Sequence, residues 1–285
     1  GMIALGEEIE SDVKCLTKSD LYLRISKYVD LEESTVIKIV DDLSLTKRKE
    51  YLIVPKPFTK NDIWPWKFNR KLSVTRRPMV QLDEQIIWGN RQLYHCLLYT
   101  MDLINDARLP VFNQKGKLKS LLGKIANYGG NHFNDAVASK LKKIEGLIVD
   151  SKVKKINGIR ILDDNKQDIG DIDVIIINVK KKKIIIAEVK DFSFSKSPYE
   201  MYQEYLKVFC DQNDKLCYIS KHKRRVEWMK KHLQDIIIHY HLDPVKWKID
   251  DILIVNEDIV CNEYYHLEQK ILLYSDISQS SINRI

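Results

Sequence analysis

The spacing of apolar positions changes period along the chain, and each change predicts an element. Leu21, Leu23, Ile25 and Val29 follow Ser19 and Asp20, either of which can cap a helix; Val36, Ile39, Val40 and Leu43 follow Glu33 and Ser34 as a second helix. A basic turn, TKRKE, then leads to a short apolar strand, Tyr51 to Val54. Helix, helix, turn and strand is the order of a winged helix, a pattern that reads DNA in some proteins and packs or recruits partners in others. From Pro55 to Pro78 the chain is rich in Pro, Trp and basic residues, which predicts an irregular connector anchored by aromatic packing. A strand at Met79 to Leu82 follows, then a helix from about Asn90 to Ala107 with Leu93, Leu97, Leu98, Met101 and Ile104 as its stripe.

Residues 129 to 190 read as helix, strand, strand, strand. Asn131 is placed to cap a helix over 131–145 with Phe133, Val137, Leu141 and Ile144 on one face, and Gly146 to stop it. A strand near 147–156 comes next. Two β-branched runs, QDIGDIDVIIINV at 168–179 and KKIIIAEVKDF from 183, are joined by the lysine run Lys180 to Lys183 and predict a hairpin. Ser197 and Pro198 open a helix over 198–212, with a further helix over 221–238 and a strand Ile252 to Val255. The fold class is α/β: a mixed sheet of four or five strands flanked by helices in 111–285, preceded over 1–110 by a mainly helical, winged-helix-like region.

Composition narrows the function. No apolar run approaches the roughly 20 residues that cross a bilayer, and the opening lacks the basic-then-apolar pattern of a signal peptide, so a cytoplasmic protein without membrane contact is expected. The five cysteines are scattered without a CxxC pair, which argues against a disulfide framework or zinc knuckle. The net charge is +7, and the surplus is concentrated: 214–232 carry seven Lys or Arg against two acids, and 58–80 carry six against one. Either stretch suits a polyanion, and either suits an ordinary solvated face. Lys221, Lys223, Arg224 and Arg225 are the candidate contacts to a DNA backbone.

The chemistry resides in the hairpin. Side chains alternate along a strand, so Asp171 and Asp173 share a face, and Glu188 and Lys190 share a face of the next strand. Pairing about the lysine turn brings two carboxylates and an ammonium together. Three isoleucines and Ala187 precede Glu188, so its strand is buried on both faces, where a charged group needs compensation. A divalent cation, Mg²⁺ or Mn²⁺, with Asp173, Glu188 and the Val189 carbonyl as ligands, supplies it. Such an ion activates water against a phosphodiester, with Lys190 orienting that water or offsetting charge. HYH at 239–241 suggests metal binding but lacks a carboxylate at ligand spacing; there is no Walker loop and no nucleophile elbow.

GDIDVIII, a lysine turn and IIIAEVKD resemble the PD-(D/E)XK nuclease superfamily, the restriction-endonuclease-like fold, over roughly Gly129 to Ile238 and as far as Asn256. The resemblance implies Asp173 and Glu188 as metal ligands and Lys190 as the catalytic lysine, with Asp171 at a less essential acid position. Many members carry a Glu on the preceding helix in a context like GxxFE; Gly130, His132 and Phe133 here precede Asn134, whose amide oxygen becomes the expected substitute ligand. Gln203 in YQEYLKVF is similar to a helix glutamine that positions phosphate or water in several of these nucleases. The expected function is Mg²⁺-dependent cleavage of DNA in restriction, repair or mobile-element defence. The alternatives are a catalytically impaired nucleic-acid-binding module of the same fold, or an assembly subunit. The N-terminal region is a candidate for homodimer or partner contact.

Overall fold

The computed structural model describes residues 12–50, 52–67, 70–109, 116–192, 195, 197–213, 215–259 and 268–285. It divides into two compact units, 1–125 and 126–285. The division falls inside one long helix; the boundary expected at 110/111 lies outside the described residues.

In the first unit a strand β1 (Val13–Thr17) leads into helices α1 (Lys18–Val29) and α2 (Glu33–Asp42). Thr17 caps α1 by accepting from the Asp20 N–H, two positions before Ser19, the earlier of the capping residues read from the sequence. Then come β2 (Ser44–Thr46), β3 (Met79–Leu82), β4 (Gln85–Gly89) and helix α3 (Asn90–Asn105). The sheet order is β1-β4-β3-β2. Leu21, Val36, Val40, Met79 and Ile86 form the core between helices and sheet.

Three expectations for this unit are corrected. Leu52 to Val54 form no strand; Leu52 and Ile53 are exposed, and the hairpin that follows the two helices is β3–β4. Trp66, 70% exposed, does not pack into an aromatic cluster. On α3, Leu97, Leu98 and Met101 are exposed, while Cys96 and Leu103 are buried. That helix is apolar on more than one face, so spacing alone did not fix which stripe the core took.

The second unit is a five-stranded mixed sheet, β11-β10-β9-β8-β5, between two helical layers. Its strands are β5 (Leu147–Val153), β8 (Ile172–Asn178), β9 (Lys183–Lys190), β10 (Lys248–Val255) and β11 (Ile271–Leu273). β5, β8 and β9 run antiparallel, whereas β9, β10 and β11 run parallel. A small hairpin of β6 (Lys155–Ile156) and β7 (Ile159–Arg160) turns through Asn157-Gly158, both at positive φ, the geometry of a tight hairpin turn. Helix α4 (Lys117–Lys142) covers one sheet face with Val137, Ala138 and Leu141 against Val174, Ile176, Ile185 and Ala187. Helix α8 (Gln279–Arg284) adds Ile282 on that side. Helices α5 (Pro198–Phe209), α6 (Tyr218–Lys231) and α7 (Leu233–His239) cover the other.

Helix α4 begins 14 positions before the predicted start, and Asn131 is interior to it rather than its cap. Gly129 and Gly130, each costing about 1 kcal/mol relative to Ala, are outweighed by the packing of Val137, Ala138 and Leu141 of the same helix against the sheet. The 221–238 helix is split at His232 into α6 and α7. The two strands pair about the lysine turn as expected, with Val174 opposite Ala187 and Ile177 opposite Ile184, closed by 179–182 with Lys182 at φ 52°. Every residue from Val174 to Asn178 and from Ile184 to Val189 is buried, as befits central strands covered on both sides.

Candidate functional site

The β8–β9 ladder ends at Val174 and Ala187. Beyond it the Asp173 side chain takes over, accepting the Val189 N–H at Oδ2 (2.8 Å). Alternation from the core residues puts Glu188 and Lys190 on the face covered by α6. The Lys190 ammonium lies 2.8 Å from Glu188 Oε1 and 3.5 Å from Asp173 Oδ2. Two acids and an amine from neighbouring strands thus meet at the end of the sheet, as expected from the sequence.

What the sequence reading did not anticipate is the second coordination of Glu188. Its Oε2 is paired with the Arg225 guanidinium and lies 3.5 Å from His222 Nδ1, both side chains projecting from α6. His222 is 1% and Arg225 8% exposed. His222 Nε2 is 3.7 Å from Asp251 Oδ2 on β10, too far for a hydrogen bond, and that nitrogen is buried without a partner. Arg225 also reaches the Ile169 carbonyl (3.4 Å), on the loop that feeds Asp173 into β8.

These contacts set the electrostatics. Burial, reinforced by the neighbouring Glu188 charge, raises the Asp173 carboxyl above its ordinary value. Burial alone would raise Glu188 too, but the hydrogen bond from His222 and the charges of Lys190 and Arg225 outweigh it and bring it down to about 2. Lys190 is driven down by burial and more strongly up by Glu188 and Asp173, with a net rise.

The other expected residues are dispersed. Asn134 is buried on α4, the helix packed against the opposite face, and its Oδ1 has no hydrogen-bond partner. Gln203 is exposed on α5. Lys221 and Lys223 are exposed on α6, and Arg224 is exposed but paired with Asp163 at 2.5 Å. Arg225, expected at a DNA backbone, instead faces inward to Glu188. His222, Arg225, Val226 and Met229 stand at i, i+3, i+4 and i+7, which places all four on the buried face of α6. That spacing was the available signal; composition concealed it, because the run reads as basic throughout. His239 and His241 are exposed, as a surface reading of the HYH motif has it. An open cleft of about 470 Å³ beside α6 is lined by Lys223, Arg224 and Lys231 but also by Asp163, Asp164 and Glu227, and the acid pair is not in its wall.

Whether a divalent cation suits this site turns on its donors. Among the described residues no group of three or more His, Cys, Asp or Glu is placed to hold a metal ion. The pair Asp173 and Glu188 nevertheless offers hard oxygen ligands that already share one cation, the Lys190 ammonium, and Mg²⁺ ordinarily keeps several waters on one or two carboxylates. Asn134, on the helix against the opposite face, adds no donor here, so the two carboxylates are the donors that fit the ion.

Residues 4–244 match the sequence profile of a family described as Upx-like, anti-phage protein Upx-like. The chain belongs to the anti-phage Upx-like family. The matched span takes in Asp173, Glu188, Lys190, His222 and Arg225, and ends before Asp251. No curated protein and no solved structure matches the chain. The family places the chain in phage defence. No helix among the described residues is long and apolar enough to cross a membrane.

Proposed function

We propose that this Upx-like protein is a defence nuclease of PD-(D/E)XK type, which hydrolyses DNA phosphodiester bonds with Mg²⁺ or Mn²⁺. The observation that carries the reading is the shared ammonium: Lys190 touches both Asp173 and Glu188 where β8 and β9 end. Asp173 and Glu188, with the Val189 carbonyl, would hold the ion. When bound, the ion supplies an activated water and neutralises charge on the phosphate. Lys190, held by the two acids, orients that water or offsets charge developing on a phosphoryl oxygen. Lys221 and Lys223, exposed on α6, would contact the phosphate backbone.

Phage infection of cells carrying the wild-type gene, beside cells carrying Asp173→Asn, tests this. The expected result is fragmentation of phage DNA and loss of plaques with the wild type only. Plaque reduction with intact phage DNA would contradict it. One observation favours a second reading, a binding module that does not cut: both oxygens of Glu188 are already engaged by cationic side chains. In that case Asp173→Asn protects cells as well as the wild type does.

A further inference from the structure

The charges at the site balance before any metal arrives. Asp173 and Glu188 bring two negative charges; Lys190 and Arg225 bring two positive ones in direct contact with them. The two cations differ in freedom. Lys190 is 26% exposed on a flexible stem. Arg225 is fixed: one arm is on Glu188, and the other is on the Ile169 carbonyl. Gly170 backs that second arm at φ +86°, where an added Cβ would lie 3.2 Å from Nη1, and its N–H donates to Asp168 Oδ1 (2.8 Å). The loop that leads to Asp173 thus packs against the guanidinium, tying Arg225 to the approach to that acid. Asp251 stands beyond His222, a third exposed and bonded to Gln269, and solvent screens it from this balance.

A divalent cation added to a neutral, largely buried cluster leaves two uncompensated positive charges, which is costly in a low-dielectric site. A phosphodiester bound alongside supplies a negative charge and reduces the excess. We infer that Arg225 sets the order of loading: by neutralising Glu188 it keeps the acid pair from holding a divalent cation alone and couples cation binding to that of a nucleic-acid phosphate. This rests on the nuclease reading above. It makes Arg225 a positioning and charge-setting residue, acting through Glu188. In defence, such coupling would keep the centre unloaded until foreign DNA is engaged.

Mn²⁺ binding, read by electron paramagnetic resonance of the free ion, tests it on the full chain with and without a phosphorothioate duplex. For the wild type, the duplex should tighten Mn²⁺ binding about tenfold or more, an ordinary coupling between sites. Arg225→Gln should bind Mn²⁺ without duplex about tenfold tighter than the wild type and lose most of the duplex effect, whereas Arg225→Lys should retain it. Equal wild-type affinity with and without duplex overturns the inference, as does an Arg225→Gln protein with unchanged affinity. If Arg225→Gln shows no cooperative melting transition, the wild-type pair and Arg225→Lys decide. No Mn²⁺ binding by the wild type even with duplex overturns the nuclease reading itself, a result distinct from loss of coupling.

Discussion

The Glu188–Arg225 pair should be among the most consequential polar contacts in the second unit. Its side chains are 4% and 9% exposed, so solvent does little to rescue either partner. Arg225→Met keeps the aliphatic bulk and removes the charge, leaving Glu188 buried with Lys190 as its remaining full cation. Breaking a buried pair from one side costs roughly 3–5 kcal/mol. Retention of Lys190 puts the expectation at the lower end, about 3 kcal/mol, or roughly 6–12 °C in melting temperature for a domain of this size. Glu188→Gln alone strands Arg225 and should cost a similar amount. The double variant strands neither, so urea unfolding should give it a cost well below the sum, with a coupling of about 2 kcal/mol. Lys230→Met, at an exposed pair with Glu227, serves as the control and should cost under about 1 kcal/mol. An Arg225→Met cost as small as the control's, or strict additivity in the double variant, would refute the buried-clamp account.

Further outcomes follow from the same geometry. Glu188 is held down to about 2 from an ordinary 4.5, so its contribution is fully present above 4.5 and is lost as pH falls toward 2; Asp173, raised, works oppositely and costs stability as pH climbs past 3.8. Acid unfolding of Glu188→Gln should accordingly be flatter than that of the wild type between those limits. Gly170→Ala, at φ +86° and against Arg225, should destabilise by about 1–2 kcal/mol in urea unfolding, whereas a change below the error of that measurement would show the loop to be slack. Ile176→Ala, fully buried between α4 and the sheet, should cost about 2–5 kcal/mol. Lys221→Ala with Lys223→Ala should weaken DNA binding and reduce its salt slope by about one to two units; an unchanged slope removes α6 from the DNA surface.

The central hairpin was legible because two signals coincide there. Its β-branched runs are too apolar for a solvated strand, and strand alternation with pairing about the turn puts Asp173, Glu188 and Lys190 on one face. The strand over 183–190 lies where the sequence reading puts it, whereas its partner, expected over 168–179, is the shorter Ile172–Asn178; the residue-by-residue register is visible only in the structure. Helix ends were less legible, since the double glycine at 129–130 carries a break signal that tertiary packing of α4 overrides. The clamp on Glu188 was hidden by residue type. His222 and Arg225 sit in a run so basic that it reads as surface, and only their spacing relative to Val226 and Met229 turns them inward. A charge buried by a partner 37 positions away in sequence leaves no local mark.

The most direct trial is incubation of plasmid, linear and single-stranded DNA with the purified protein, with Mg²⁺ or Mn²⁺ and without, beside Asp173→Ala and Lys190→Ala. The account predicts cleavage by the wild type that needs the ion and disappears in both variants. Intact DNA in every lane, or cutting that survives the loss of Lys190, would contradict it.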